Sequence, residues 1–401
     1  MPPLGIYVQV PFCQTKCTYC NFHTGVVSSS RFAPYVDAVC AEIREHSALQ
    51  QHAGIAVSEA VSALTVDSVY IGGGTPSLLD PARIANLLCA MRETFSWSSG
   101  GDSTEVSGEV LCEVTLEADP ETIDPDKAAA WVSAGVNRVS FGLQSFIDKE
   151  LIASGRMHRC ADIYRAVPIL RAAGIRNISF DLIAGLPHQT AASWRQSLDE
   201  LANLQPEHVS IYLLEIDEGS RLGLEVLQGG SRYSARDIPS EDDMATFYET
   251  AQEHLQATGY HHYEISNWAK PGYESRHNLK YWRREPYLGF GAGAHSFVAG
   301  NRWANVHDAA NYVTGLEQSR LPVAEHQVLT AESALEEELF LGLRQLDGID
   351  AAKLERNYRV QLSARFDPLA KQGLLERQGD VVRLAPAKLS VSNEVFVALM
   401  R

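Results

Sequence analysis

The sequence predicts an α/β protein: a partial (β/α)6 barrel of parallel strands, followed by a small helical, winged-helix-like module. Short apolar runs alternate with longer segments in which apolar residues recur at helical spacing, which indicates strand–helix units. Polar and glycine-containing motifs follow the apolar runs, and a (β/α) barrel places its working residues at those strand ends. We therefore favour closure into a barrel over the alternative, an open doubly wound sheet.

Six apolar runs are predicted as strands, and four segments between them as helices. The predicted strands comprise residues 6–10, 68–71, 110–116, 138–141, 177–182 and 208–214. The predicted helices comprise residues 33–49, 84–95, 161–172 and 193–204. Residues 57–64 and 96–107 are small, polar or glycine-rich, and we expect surface loops there.

Changes in composition divide the chain into three predicted domains: a barrel over residues 1–235, a bridging segment over 236–320 and a C-terminal module over 321–401. The bridging segment opens with a predicted helix over 240–258 and then becomes rich in aromatic residues, histidines and glycines. In the C-terminal module, a predicted helix over 332–346 precedes a predicted hairpin over 374–384. A helix followed by a two-stranded wing predicts a compact module of the winged-helix kind.

Three cysteines form a C-x3-C-x2-C run directly after the first predicted strand: Cys13, Cys17 and Cys20. A [4Fe–4S] cluster normally takes four thiolates, so three ligands leave one iron open to a substrate or cofactor. The alternative is a zinc site in which His23 is the fourth ligand. Structural zinc sites usually combine two separated ligand pairs, and the sequence has no second C-x2-C pair. The other cysteines, Cys40, Cys89, Cys112 and Cys160, are solitary and are expected to be small buried residues.

The order of strand and C-x3-C-x2-C loop resembles the radical S-adenosylmethionine (SAM) superfamily, and Tyr19 before the last cysteine fits the same pattern. The resemblance implies that the open iron holds the amino and carboxylate groups of SAM. A glycine run then ends the second predicted strand, with Gly73, Gly74 and Thr75. Glycines allow close backbone approach to a ligand, and this run resembles the superfamily's motif for the SAM amino group.

Further motifs follow in the order of one family, and the chain resembles it from residue 6 to at least residue 384. This is the radical SAM family of oxygen-independent coproporphyrinogen III oxidases and related heme chaperones. The resemblance implies that SAM is contacted by six residues: Tyr7, Gly73, Glu117, Gln144, Arg156 and Asp181.

Two positions favour the chaperone branch of that family over the oxidase branch. The oxidases carry a fourth cysteine two residues after the third, where this chain has Phe22. The chaperones carry the motif H-N-x-x-Y-W, which this chain has as His277, Asn278, Tyr281 and Trp282. Imidazole is a common axial ligand of heme iron, and flat aromatic faces suit a porphyrin. His277 is the first candidate ligand, and His261, His262 and His295 are its rivals.

Net charge, cysteine spacing and the length of the apolar runs limit the possible binding partners and cellular location of the protein. Acidic residues exceed basic ones by 50 to 34, a formal charge of −16, which does not resemble a nucleic-acid-binding surface. An odd number of irregularly spaced cysteines and the absence of a visible signal segment predict a reducing, cytoplasmic location. No apolar run is long enough to span a bilayer, although peripheral membrane contact stays open.

The sequence thus predicts a protein that holds a [4Fe–4S] cluster, SAM and heme, and that delivers heme to acceptor proteins. The main alternative is a coproporphyrinogen III oxidase that cleaves SAM to a 5′-deoxyadenosyl radical for oxidative decarboxylation. A third hypothesis is a zinc-stabilised binding protein.

Overall fold

The computed structural model describes residues 2–98 and 112–399. Its fifteen strands are β1 (Leu4–Val10), β2 (Val66–Gly73), β3 (Glu113–Ala118), β4 (Arg138–Gln144), β5 (Asn177–Ala184), β6 (His208–Leu213), β7 (His261–Glu264), β8 (Asn267–Ala269), β9 (Tyr287–Phe290), β10 (His295–Val298), β11 (Asn301–Asn305), β12 (Val323–Val328), β13 (Ile349–Asp350), β14 (Leu375–Gln378) and β15 (Val381–Leu384), counted over those described ranges.

The α-helices of the described ranges are α1 (Phe32–His52), α2 (Ser58–Ser62), α3 (Pro81–Thr94), α4 (Pro125–Ala134), α5 (Asp148–Ala153), α6 (Cys160–Ala173), α7 (Ala191–Leu204), α8 (Arg221–Leu227), α9 (Glu241–Ala257), α10 (Arg276–Trp282), α11 (Ala309–Glu317), α12 (Ala331–Gly342), α13 (Ala351–Tyr358), α14 (Ser363–Lys371) and α15 (Ser392–Leu399).

Strands β1 to β6 lie side by side in chain order, and every neighbouring pair among them is parallel. A doubly wound sheet would reverse its strand order at a switch point. The observed order therefore confirms the predicted barrel-like arrangement. In the described part of the chain, β12 and β7 form the two edges of a twelve-stranded sheet, so the barrel is partial.

The bridging segment extends this sheet at both sides. Strand β9 pairs in parallel with β1, with Gly5 opposite Tyr287. Strand β8 pairs antiparallel with β6 and also carries β7. Beyond β9, the antiparallel strands β10, β11 and β12 complete the other edge. Residues far along the chain are thus brought beside the first strand, next to the cysteine loop.

The helices cover the outer face of the sheet. α1 packs against α3 and α11, α3 against α4, and α4 against α6. Local signals fix the ends of α4: the Asp124 side chain accepts from the N–H of Lys127 at 2.8 Å, Pro125 follows, and Gly135 closes the helix at φ 105°. Strands covered on both faces carry near-continuous apolar residues, as β1 does with six of seven buried.

Several predicted boundaries are corrected. The predicted loop over 57–64 contains α2, because Val61 buries one side of a short helix there. Of the predicted loop over 96–107, residues 99–107 lie outside the described residues, as do residues 110 and 111 of the third predicted strand. Strand β5 continues to Ala184, so Asp181 lies within the strand and not at its end. Helices outside the ranges predicted as helical are α2, α4, α5, α8, α10, α11, α13, α14 and α15.

The predicted C-terminal hairpin is confirmed: β14 pairs antiparallel with β15. A short third strand, β13, pairs with the other side of β15, so the wing has three strands in the described residues. Helices α12 to α15 complete this part of the chain.

One expectation about the solitary cysteines is wrong. Cys40 and Cys112 are buried as expected, and Cys160 is half-buried. Cys89 is exposed on α3, where its thiol donates to the Glu93 carboxylate at 3.2 Å. The apolar side of α3 is formed by Leu87, Leu88 and Met91, and Cys89 falls outside that side.

Candidate functional site

The three cysteines of the motif lie in the loop after β1 and line one cavity of ≈ 590 Å³, here called the first cavity. Backbone hydrogen bonds hold the loop: the Cys13 N–H donates to the Gly25 carbonyl at 3.0 Å, and the Cys20 N–H donates to the Cys17 carbonyl at 3.3 Å. All three cysteines are half-buried and none forms a disulfide. The thiols are therefore held at the wall of a cavity that is large enough for a ligand.

The three thiols of the motif are partly shielded from solvent. Burial raises the pKa of Cys13, and hydrogen bonds from Thr24 and Thr75 partly offset this. Burial also raises the pKa of Cys20. The Arg156 guanidinium donates to the Cys17 sulfur at 3.5 Å, which places a positive charge where a thiolate would form.

The glycine run packs directly against β1 and the cysteine loop. Gly73 has φ +106°, and a Cβ there would overlap the side-chain amide of Gln9. A Cβ on Gly74 would overlap the carbonyl oxygen of Phe12, which accepts from the Thr75 N–H at 2.7 Å. Glycine is thus required by close contact within the protein itself. The predicted contact of these residues with SAM stays a prediction.

Glu117 is held between two strands of the barrel. One carboxylate oxygen accepts from the Tyr70 hydroxyl at 2.8 Å, and the other accepts from the Gly73 N–H at 2.9 Å. Burial raises the pKa of Glu117 to about 7; the Tyr70 hydrogen bond opposes this shift, and the nearby Asp181 adds to it. Glu117 therefore fixes the glycine loop to β3 and lines the first cavity.

Sequence reasoning did not single out Asp119, which the structure places at the centre of the polar network. Its carboxylate forms an ion pair with Arg156 and accepts from the Thr75 hydroxyl at 3.3 Å. Arg156 is 10% exposed and also donates to the Gly142 carbonyl at 2.7 Å. The available signal was its place two residues after Glu117, on the same side of the chain just past the strand.

Gln144, Asp181 and Tyr19 also line the first cavity. Gln144 ends β4 at φ 69°, next to a register irregularity, and its side-chain amide has no hydrogen-bond partner in the described residues. Asp181 accepts from the Ser140 hydroxyl at 3.4 Å, and burial raises its pKa. Burial also raises the pKa of Tyr19, which stays a neutral phenol. An unpaired amide in a strained conformation beside a cavity is typical of a ligand-binding position.

A second cavity of ≈ 630 Å³ lies between β1 and β10 and shares Gly73, Glu117 and Phe22 with the first. Tyr7 lines this second cavity, whereas the other predicted SAM residues line the first. The Tyr7 hydroxyl donates to the Gln9 side chain at 2.6 Å. The remaining wall of the second cavity comprises Gln9, Asn21, His23, Tyr281, Tyr287, Gly293, His295 and His307.

The H-N-x-x-Y-W motif forms α10, which packs on the first residues of β1, β2 and β3. His277 is 1% exposed; its two ring nitrogens lie 3.2 Å from the Ser68 hydroxyl and 2.8 Å from the Tyr281 hydroxyl. Burial, and then the charge of Lys280, lowers the pKa of His277 to about 3. The Trp282 ring stacks under the Arg344 guanidinium at 4.4 Å.

His277 therefore has no free nitrogen in this conformation, and heme ligation by it would require loss of one of these hydrogen bonds. Of its rivals, His261 is exposed on the edge strand β7. His262 stacks on Trp268 with ring centroids 3.9 Å apart. His295 lines the second cavity. The heme role of the motif stays a prediction.

The donors of the zinc alternative do not converge. Among the described residues, no three His, Cys, Asp or Glu side chains form a group that could hold a single metal ion. His23 stacks on His307, with ring centroids 3.9 Å apart. A cubane needs no such convergence, since each cysteine binds a different iron.

Comparisons with known proteins agree with this geometry. Residues 7–201 match the profile of the Radical SAM superfamily, and residues 329–387 match that of the HemN C-terminal domain. The heme chaperone HemW of Bacillus subtilis is 33% identical over 98% of this chain and 98% of its own length. HemW of Synechocystis is 35% identical over 96% of this chain and 89% of its own.

The chain belongs to the HemW family of radical SAM proteins. Membership of this superfamily confirms the expected cofactor pair of a [4Fe–4S] cluster and SAM. A mouse relative, the mitochondrial radical S-adenosyl methionine domain-containing protein 1, is 35% identical over 73% of the chain and 60% of its own.

The fold of this HemW-family chain is similar to that of the Escherichia coli coproporphyrinogen III oxidase HemN. The TM-score is 0.79 at 22% identity, with 99% of this chain and 90% of the other covered. This likeness confirms the predicted fold class of partial barrel and helical C-terminal module. Within the described residues, the helices are each too short or too polar to cross a membrane.

Proposed function

We propose that this protein is a heme chaperone: it binds a [4Fe–4S] cluster, SAM and heme, and it delivers heme to acceptor proteins. The observation that carries the proposal is that two cavities at the carboxyl ends of the strands share a wall formed by Phe22, Gly73 and Glu117. One is walled by three thiols and polar side chains, and the other by aromatic rings and imidazoles. Relatives that match nearly the full chain are named heme chaperones.

The residues of the first cavity fit the cluster and SAM. Cys13, Cys17 and Cys20 would hold three irons, and the fourth iron would take the amino and carboxylate groups of SAM. Arg156 offsets the negative charge at Cys17 through its 3.5 Å contact. The unpaired amide of Gln144 is free to receive a polar group of SAM.

Glu117 and Asp181 line the same cavity, and we assign them to the ribose of SAM. Both are half-buried carboxyl groups, and loss of contact with water raises the pKa of each. Carboxylates held in fixed positions are suitable acceptors for ribose hydroxyl groups. Thr75 and Tyr19 complete the predicted contacts with SAM.

Two features favour the chaperone over the oxidase. Phe22 stands where the oxidases have a fourth cysteine, and its side chain is 67% exposed between the two cavities. The H-N-x-x-Y-W motif contributes Tyr281 to the second cavity. A hydrogen bond between the His277 ring and the Tyr281 hydroxyl holds the tyrosine in place. The motif would thus act on heme through Tyr281.

A paired assay on anaerobically reconstituted full-length protein tests this proposal. Titration with hemin should give a saturable Soret shift, and incubation with coproporphyrinogen III and SAM should give no protoporphyrinogen IX beyond a single turnover. Multiple turnovers would establish the oxidase instead. Stoichiometric zinc without acid-labile sulfide would establish the zinc-stabilised binding protein.

The proposal includes a reducing, cytoplasmic location and acceptor proteins as partners. Its support is the absence of disulfides among the described cysteines and the acidic net charge of −16, which disfavours nucleic acid. We also retain the division into a barrel (1–235), a bridging segment (236–320) and a C-terminal module (321–401).

A further inference from the structure

We infer that the second cavity is the heme site and that a histidine of its wall, His295, supplies the axial imidazole. This inference rests on the proposed heme-chaperone function and goes beyond it, because it assigns the site and the ligand. It also moves the iron ligand away from His277, the histidine of the sequence motif.

The size and chemistry of the second cavity suit a porphyrin. A volume of ≈ 630 Å³ lies within the range of about 300–1,000 Å³ that is typical of cofactor sites. Tyr281 and Tyr287 present aromatic rings, packed edge to face with centroids 4.7 Å apart. Phe22 adds a largely exposed ring at the wall shared with the first cavity. Flat apolar faces at the rim of a cavity are suited to a macrocycle.

The imidazoles of this cavity are available for ligation. The ring nitrogens of His23, His295 and His307 have no hydrogen-bond partner within the ranges that the structure describes, and all three side chains are exposed. By contrast, both nitrogens of His277 are engaged. A single imidazole lone pair is sufficient to ligate a heme iron.

The protonation state of these imidazoles also favours ligation. Burial, and after it the neighbouring His307, lowers the pKa of both His23 and His295. Both rings are therefore neutral at pH 7, and a neutral imidazole is the form that binds a metal.

Among the three histidines, His295 has the most rigid position. It lies on β10, where it pairs with Ala304 of β11. His23 and His307 lie in loops and stack on each other. A ligand on a paired strand is held more accurately than one on a loop. The stacked pair lies close enough to His295 to lower its pKa, and its exposed imidazoles would offer an exchangeable ligand suited to release of heme to an acceptor.

A hemin titration of the full-length, cluster-reconstituted protein tests this inference. The variants are His295→Ala, a triple variant with His23→Ala and His307→Ala added, and His261→Ala as a control on the distant edge strand. We expect His295→Ala to weaken hemin binding about 10-fold to 100-fold and to remove the low-spin imidazole signal from the EPR spectrum. Added imidazole should restore that signal, and His261→Ala should match the parent.

The outcomes separate this inference from the proposed function. A parent protein that shows no saturable hemin binding would overturn both. A parent that binds hemin, together with a triple variant that keeps the parent's affinity and nitrogen signature, would overturn the site assignment alone. If the triple variant does not fold, as judged by circular dichroism, the three single variants decide: unchanged spectra in all three would refute it.

Discussion

The molecule has two regions dense in motif residues, and they are built differently. At the carboxyl ends of the barrel strands, half-buried thiols, the unpaired Gln144 amide and the exposed imidazoles surround two cavities. On the first residues of β1 to β3, the motif residue His277 and its neighbour Lys280 in α10 are each 1% exposed and hydrogen-bonded to neighbours. The motif residues of the first region thus line cavities, whereas in α10 His277 packs inside the protein and Tyr281 alone of the motif lines the second cavity.

The largest expected effect concerns the cysteines of the first cavity. Replacing Cys13, Cys17 or Cys20 with alanine should abolish the cluster, since a cubane that already lacks a fourth thiolate cannot lose another and stay bound. Reconstituted parent protein should contain about four irons per chain, and each variant close to none, by iron and sulfide analysis.

The matched control is Cys89→Ala, because this thiol is exposed on the surface of α3, away from the first cavity, and hydrogen-bonds to Glu93. Its iron content should equal that of the parent. Full iron loading of any motif variant would show that these cysteines do not hold the cluster.

The second largest expected effect follows from a substitution in α10, and it lowers the free energy of unfolding without changing the cofactor content. Lys280 is buried; its ammonium lies 2.7 Å from the Asp67 carboxylate and donates to the Pro3 carbonyl at 2.8 Å. Lys280→Met leaves Asp67 without its cation, and breaking a buried ion pair costs about 3–5 kcal/mol. Urea denaturation should show this loss.

Lys149, exposed on α5, provides the control: Lys149→Met should change the free energy of unfolding by less than about 0.5 kcal/mol. If both variants unfolded at the parent's urea concentration, α10 would not be the tightly packed element described above.

The region at the carboxyl ends of the barrel strands was predicted from the sequence more completely than the region around α10. All six barrel strands were located from short apolar runs bounded by polar or glycine-containing segments. The cysteine loop, glycine run and strand-end positions then followed, since parallel strands place their carboxyl ends on one side.

Contacts between elements far apart in the chain could not be predicted from the sequence in the same way. Nothing local indicates that β9 pairs with β1, or that α10 packs on Ser68. For this reason His277 was placed beside heme by its motif, although its contacts are those of a core residue. Asp119 was missed because its role depends on Arg156, which lies 37 residues later in the chain.

The α10 region should also produce a pH dependence of stability. The pKa of His277 falls to about 3 on folding because of burial, so the folded protein binds this proton less tightly than the unfolded chain. Stability is present above the ordinary pKa of about 6.5 and decreases as the pH falls below it, by about 1.4 kcal/mol per unit. Between pH 6.5 and 5 the loss is roughly 2 kcal/mol.

Urea denaturation of cluster-free protein between pH 7 and 5 measures this slope. His277→Gln cannot be protonated, so its unfolding free energy should change less steeply over that interval than the parent's. Since His158 and His262 also have lowered pKa values from burial, the difference between the two slopes is the quantity to compare. Equal slopes would mean that His277 is accessible to protons in the folded state, as a heme ligand would be.

The smallest expected effect concerns Gln144, and it tests whether this residue of the first cavity lowers protein stability while contributing to SAM binding. Gln144 and Gln205 both have left-handed backbone conformations, at φ 69° and φ 49°. Gln144 lines the first cavity, whereas Gln205 ends α7 as its C-cap. Replacing either with glycine relieves the backbone strain and adds chain entropy to the unfolded state, a net stabilisation of up to about 1 kcal/mol.

The two variants should therefore differ in binding and not in stability. Gln144→Gly removes an amide that has no partner in the described structure, so SAM affinity should fall about tenfold, the change that loss of one hydrogen bond produces. Gln205→Gly should bind SAM as the parent does. Isothermal titration of reconstituted protein with SAM, beside thermal unfolding of both variants, gives the comparison. Strain at Gln205 serves only to end a helix, whereas strain at Gln144 holds a polar side chain in an otherwise unfavourable position. Equal SAM affinity in both variants would show that the unpaired amide is not part of the binding site.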